Sequence, residues 1–265
     1  MAWGCDGSAS PPEPRATTWQ PAIRLSNSTR TASLSYNFAW SIAADHAGRV
    51  HAVWYESDSV VYYVGSVDSG AHWGTPMSLS LSGGASDPAI AVEGDDVYVI
   101  WHQLRAGAFE VMLRHSRDGG GTWQPEVRLS ASGRSAHGSI AASGRHVYVV
   151  WGDVSTGNAE IHTRASHDGG TSWLLEQLVS DTPYESWVPT VAASGDTVMV
   201  GWVDYRDANE EEYLRRSTDG GRTWDAIQRL TFDAADSWAP SLAIAGNVVH
   251  IAWFEIGRAS CRERV

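Results

Sequence analysis

Three sets of side chains in this sequence could do chemistry. The first is a carboxylate lying two residues beyond successive short apolar runs: Glu56 after VHAVW, Asp153 after VYVVW, Asp204 after VMVGW and Glu255 after VHIAW, with Gln103 standing in once. The second is arginine, at Arg105 and within the run Tyr205-Arg206-Asp207. A planar guanidinium can hold a carboxylate through two parallel hydrogen bonds. The third is aromatic: Phe38, Trp187 and Trp238 share one position of a repeat in which Ser86 and Ala136 stand elsewhere. Such rings could stack on sugars through their apolar faces, or plug the space between adjacent units. His137 and the pair Tyr184-Glu185 lie close by and are weaker candidates. Recurrence of the carboxylate favours a cap on its own loop over a ligand contact.

The elements that must position these groups repeat. The segments SVDSGAHW, SRDGGGTW, SHDGGTSW and STDGGRTW begin at Ser66, Ser116, Ser166 and Ser217, which stand 50, 50 and 51 residues apart. A period of that size signals stacked units, none of which can bury its apolar face alone. Asp68, Asp118, Asp168 and Asp219 can accept bonds from backbone N–H groups of their own turn. Gly70, Gly120, Gly170 and Gly221 permit positive φ there. Trp73, Trp123, Trp173 and Trp224 offer each short hairpin a large apolar anchor. Between these turns lie β-branched runs, short and continuous as in strands covered on both faces. No stretch shows helical periodicity.

The four segments resemble the Asp-box (BNR) repeats of the sialidase superfamily. The resemblance implies an all-β fold, a β-propeller of four-stranded antiparallel blades. Four complete blades plus partial ones are expected, as part of a ring of six to eight. It places each box between the third and fourth strands of a blade, on the face away from the ligand. Asp153, Asp204, Tyr205, Arg105, Arg206, Phe38, Trp187 and Trp238 then fall on the opposite, ligand-facing side. In sialidases three arginines hold the substrate carboxylate, a tyrosine polarised by glutamate is the nucleophile and an aspartate is the acid/base. The Arg-Ile-Pro motif that supplies the first arginine is missing. Arg24, Arg128 and Arg229 share one outer-strand position and read as structural, so Arg105 and Arg206 leave the triad one short. No catalytic set is assigned. Similar boxes also occur in non-catalytic proteins.

Composition narrows the classes further. The chain of 265 residues has a net charge of −12, which argues against a nucleic-acid partner. It contains no lysine, excluding Schiff-base chemistry. Its two cysteines, Cys5 and Cys261, do not make a disulfide framework, and no Cys/His spacing suits a metal, so neither metal nor cofactor is expected. No apolar run is long enough to span a membrane. Residues 1–16 read as a flexible leader, in which Cys5 is either a lipid-anchor position or a linker residue. Residues 17–255 are assigned to the propeller. The segment TWQPAIRLS at 18–26 nearly duplicates TWQPEVRLS at 122–130 and is expected to close the ring as an outer strand. Residues 256–265 match no repeat position and read as a non-native tail. Three functions follow as expectations. The first is a secreted, periplasmic or cell-surface module recognising glycan or an extracellular protein. The second is an exo-sialidase-type hydrolase completed by further sequence. The third is a structural spacer, which would show no exposed aromatic cluster on the loop face.

Overall fold

The computed structural model describes residues 21–35, 41–207, 209–232, 234–246 and 248–255. Phe38, the 1–16 leader with Cys5 and the 256–265 tail with Cys261 lie outside them. Among the described residues there is no helix.

Four four-stranded units follow one another. The second is Ala85–Glu93, Asp96–Arg105, Ala108–Ser116 and Val127–Arg128. The third is Ser135–Ser143, His146–Asp153, Glu160–Ser166 and Gln177–Leu178. The fourth is Ser186–Ser194, Thr197–Asp204, Glu211–Ser217 and Gln228–Arg229. In each, the strands pair antiparallel in chain order. The first unit has Val50–Glu56, Val61–Ser66 and Met77–Ser78, and its inner edge is made by two pieces, Ala32–Ser33 and Ile42–Ala44. A fifth sheet pairs Ser237–Ala245 with Val248–Glu255.

Adjacent units stack face to face, which is why their strands read as continuous apolar runs. Ile100, Val111 and Leu113 of the second sheet pack on Val147, Val149 and Trp151 of the third. Val150, Ile161 and Ala165 of the third pack on Val198, Val200 and Trp202 of the fourth. Trp101, Trp151 and Trp202 are fully buried. Burial of each aliphatic side chain such as Val150 or Ile161 contributes about 1.5–3 kcal/mol.

The inner strands of the second to fifth sheets each carry an irregularity, beside Pro88, Gly138, Pro189 and Pro240. The pairing slips between Ser86 and Ala89, Ala136 and Ser139, Trp187 and Thr190, and Trp238 and Ser241. At each slip one non-glycine residue has positive φ: Asp87 (50°), His137 (57°), Val188 (52°) and Ala239 (57°). A bulge of this kind bends the strand and re-aims its side chains. The strain recurs in register, at the end of the sheet where the inner strand begins.

Candidate functional site

The pairing register separates two ends. In the third unit, Ser135 opposes Asp153, which opposes Glu160, so the inner-strand start and the second-to-third hairpin share one end. Ser143 opposes His146, and Val147 opposes Ser166, which puts the first-to-second turn and the SHDGGTSW turn at the other. Backbone bonds tie those turns together, from Gly119 N to Asp95 O, Gly169 N to Arg145 O and Gly220 N to Asp196 O, each 2.9 Å.

At that second end every aspartate of the frame is pinned locally. Asp118 Oδ1 accepts from Ser116 Oγ at 2.7 Å and from Thr122 N at 2.8 Å, and Oδ2 accepts from Thr122 Oγ1 at 2.6 Å. Asp168 and Asp219 repeat the pattern with Ser172 and Thr223, and Asp68 with the His72 backbone and ring. Hydrogen bonds from the i+4 residue and from the leading serine hold the Asp118 and Asp168 carboxyls down to about 2. For Asp68 the His72 N–H and ring do the same, also to about 2. Asp219 is lowered likewise, by Thr223 first. The tryptophans reach further than their own hairpins. Trp123 meets Tyr63 of the preceding sheet edge-on at 4.9 Å, Trp173 packs on the core between the second and third sheets, and Trp224 donates to Gln177 at 3.1 Å. Trp73 packs with Leu25 against the first sheet.

The first end holds the remaining candidates, and most are engaged within the protein. Asp153 is buried and accepts from Ser135 Oγ at 2.9 Å, Ser155 N at 2.9 Å and Ser132 Oγ. Burial pushes its carboxyl up, but the bonds from Ser132, Ser155 and Ser135 win and hold it below the ordinary value. Asp204 accepts from Trp202 Nε1 at 3.2 Å and from Arg206 Nε and Nη2 at 2.9 and 2.7 Å. Arg206 is thereby committed to Asp204, and its guanidinium lies 4.3 Å over the Tyr213 ring. Arg105 pairs with Glu126 at 3.5 Å. Glu56 accepts from Trp54 Nε1 and Gln103 from Trp101 Nε1, both at 3.2 Å. This repeated side chain closes its own strand end. Arg128 and Arg229, at one outer-strand position of the repeat, bond Glu110 and Glu211 at 2.8 Å. Trp238 meets Phe254 edge-on at 6.0 Å.

Trp187 lines a cleft of about 590 Å³ built by three consecutive sheets. The second sheet supplies Asp87, His102 and Phe109, and the third supplies Arg134, His137 and Gly152. The His137 bulge is held by His102, whose Nε2 accepts from Gly138 N at 3.0 Å. His102 Nδ1 lies 3.4 Å from His137 N and 3.6 Å from Asp87 Oδ2. The His137 ring stands edge-on to both His102 and Trp187, 6.2 Å from each. Its Nδ1 is buried without a hydrogen-bond partner. Burial and the neighbouring His102 lower its pKa, so the ring is neutral at physiological pH. Trp187 is oriented by Nε1 donation to Glu185 at 3.1 Å and lies across Gly152, where a Cβ would come within 3.9 Å of the indole. Phe109 is 47% exposed. The site thus offers two aromatic surfaces, a neutral imidazole and a cation. Sequence reasoning reached Trp187 and His137 and placed His102 at a second-strand end, but it did not single out Asp87, Phe109 or Arg134, whose residue types do not recur at their repeat positions.

A second cleft, of about 520 Å³, lies on the outer face of the first sheet. Ile42 there is 53% exposed, whereas Ile90, its counterpart in the second sheet, is 2% exposed beneath a neighbour. Among the described residues no further sheet covers that face. Among the described residues no group of three or more His, Cys, Asp or Glu is placed to hold a metal ion. No helix there is long and apolar enough to cross a membrane.

No known family model matches the sequence, and no curated protein matches it. Solved structures do share its fold. An endo-arabinase from Bacteroides thetaiotaomicron is 11% identical with a TM-score of 0.52, over 89% of this chain and 96% of that one. A Trypanosoma rangeli sialidase mutant displaying trans-sialidase activity is 14% identical with a TM-score of 0.52, over 80% of this chain and 42% of that one. The Aleuria aurantia lectin, in complex with Fucα1-6GlcNAc, is 12% identical with a TM-score of 0.52, over 81% and 69%. These likenesses, with the stacked antiparallel sheets, show a β-propeller of four complete blades and partial ones.

Proposed function

We propose that this chain is a carbohydrate-recognising propeller module that acts outside the cytoplasm and binds its ligand at the Trp187 cleft. One observation carries the reading. At the end of the blades opposite the aspartate-pinned turns, Trp187 and the half-exposed Phe109 border one cavity with the unpartnered His137 Nδ1. Sugar recognition combines apolar ring faces with a few fixed polar groups. That the structural neighbours include a lectin and two glycan-acting enzymes supports a carbohydrate ligand over a protein one. The aromatic surfaces at this end count against a spacer. On a glycan array the chain should bind at least one class of saccharide, and Trp187→Ala should weaken that binding about tenfold or more. An array without signal, or one indifferent to the substitution, removes the proposal.

A second reading, hydrolysis of exo-sialidase type, is favoured by one contact: Tyr205 Oη donates to Glu210 Oε1. Burial and that bond raise the tyrosine's pKa, so the phenol keeps its proton until the glutamate takes it. Commitment of Arg206 to Asp204 and of Arg105 to Glu126 weighs against this reading. Turnover of a fluorogenic sialoside that vanishes in Tyr205→Phe would establish it, and absence of turnover would end it.

A further inference from the structure

We infer that the cleft takes a saccharide bearing an anionic substituent, a carboxylate or a sulfate ester, with Arg134 as its cationic contact. This deepens the recognition reading above and rests on it.

With no lysine in the chain, every fixed positive side chain is a guanidinium. Every other described arginine donates to a carboxylate, a backbone carbonyl, a hydroxyl or an imidazole, as Arg49 does to Asp45 and Arg164 to Leu129 O. The Arg134 guanidinium alone, among the described residues, makes no such bond. It lines the cleft that holds Trp187 and His137.

The backbone at this position is anchored where the side chain is not. Arg134 N donates to Ser132 Oγ at 3.1 Å, and Ser132 is itself bonded to Asp153. Arg134 O accepts from Val154 N at 3.3 Å, and the adjacent Gly133 O accepts from Phe109 N at 2.8 Å. The exposed guanidinium is therefore launched from a fixed base, between the second-sheet hairpin and the end of the third sheet's second strand. Its planar fork matches two oxygens of a carboxylate or of a sulfate ester, and a neutral hydroxyl fills only one arm. Asp87 is the carboxylate in the lining, and it faces His102. The net charge of −12 rules out general attraction of anions, so an acidic preference must be local.

The test uses the full chain on an array of matched oligosaccharides, each present as a neutral, a uronate-bearing and an O-sulfated member, followed by calorimetry on the best-bound set. An acidic member should bind about tenfold more tightly than its neutral match, and the arm that gains identifies carboxylate or sulfate as the source. Arg134→Gln should bring the acidic-to-neutral ratio towards one, and Arg134→Lys should keep part of it. Thermal midpoints of both variants serve as the folding control. Equal binding of neutral and acidic members, or a ratio that survives Arg134→Gln, overturns the inference while leaving carbohydrate recognition standing. Absence of binding to any member, or binding that Trp187→Ala does not change, removes the recognition reading itself.

Discussion

Glu212 occupies a position where the protein otherwise uses hydrocarbon. It stands one turn of the repeat on from Val61, Val111 and Ile161, all fully buried, and it is fully buried itself. Its backbone is in register, donating to Thr231 Oγ1 at 2.9 Å and accepting from Leu230 N at 2.8 Å. Neither carboxyl oxygen has a hydrogen-bond partner. Val111 faces the next sheet, so Glu212 faces the fifth, beside the Leu214, Leu242 and Ile251 cluster. Burial raises its pKa well above 4.5, and the neighbouring Glu211 and Glu210 add to the effect. Glu212→Ile should therefore stabilise the protein. Removing two unsatisfied buried oxygens recovers roughly 1–3 kcal/mol at a pH where the acid is neutral in both states. Above pH 4.5 the unfolded chain releases this proton while the folded chain keeps it. Folded wild type then loses up to about 1.4 kcal/mol per pH unit until the raised pKa is reached. The advantage of the variant should widen from pH 4.5 to pH 7.5, read as the difference in urea midpoints. A constant difference across that range, or a variant less stable at pH 7.5, refutes the reasoning.

Two further substitutions probe the turns and the stacking. Asp118→Ala should lower the thermal midpoint at pH 7, and the deficit should shrink as pH falls from about 4 towards about 2, because the depressed carboxyl contributes only while ionised. A deficit independent of pH would show that the ionised form is not what pins the turn. Gly120→Ala and Gly144→Ala both place a side chain at positive φ, +90° and +58°, at about 1–2 kcal/mol each. At Gly120 the new Cβ would also overlap the Tyr63 hydroxyl of the preceding sheet, whereas at Gly144 it meets nothing within 4 Å. Urea midpoints should therefore show the larger loss for Gly120→Ala, and equal losses would contradict stacking through that contact.

Much of the fold was legible because its information is local or repeated. Within eight residues the frame specifies serine, aspartate and glycine, and the structure closes it with bonds from Ser116 and Thr122 to Asp118. The role of Trp123 was only half legible: the size of its ring is in the sequence, but its edge contact with Tyr63 spans two sheets. Arg105 and Arg206 looked free because they fall outside the repeated frame, at a strand end and in the loop after one. Their partners, Glu126 and Asp204, are decided by how those loops fold back.

By itself, then, the sequence determined the architecture: the period, the strand order and the two opposed ends of each blade follow from short-range hydrogen bonds and from apolar runs that need cover on both faces. Only the tertiary structure decided the cleft. Phe109, Arg134, His137 and Trp187 belong to three sheets and meet because those sheets stack. His137 is aimed by a bulge at positive φ. Gly138 follows it, as Pro88, Pro189 and Pro240 follow the other three bulge residues, but the side chain at the bulge itself differs in every blade. Which guanidinium is left unbonded depends on every other guanidinium's partner, a property of the packed molecule that no local pattern encodes.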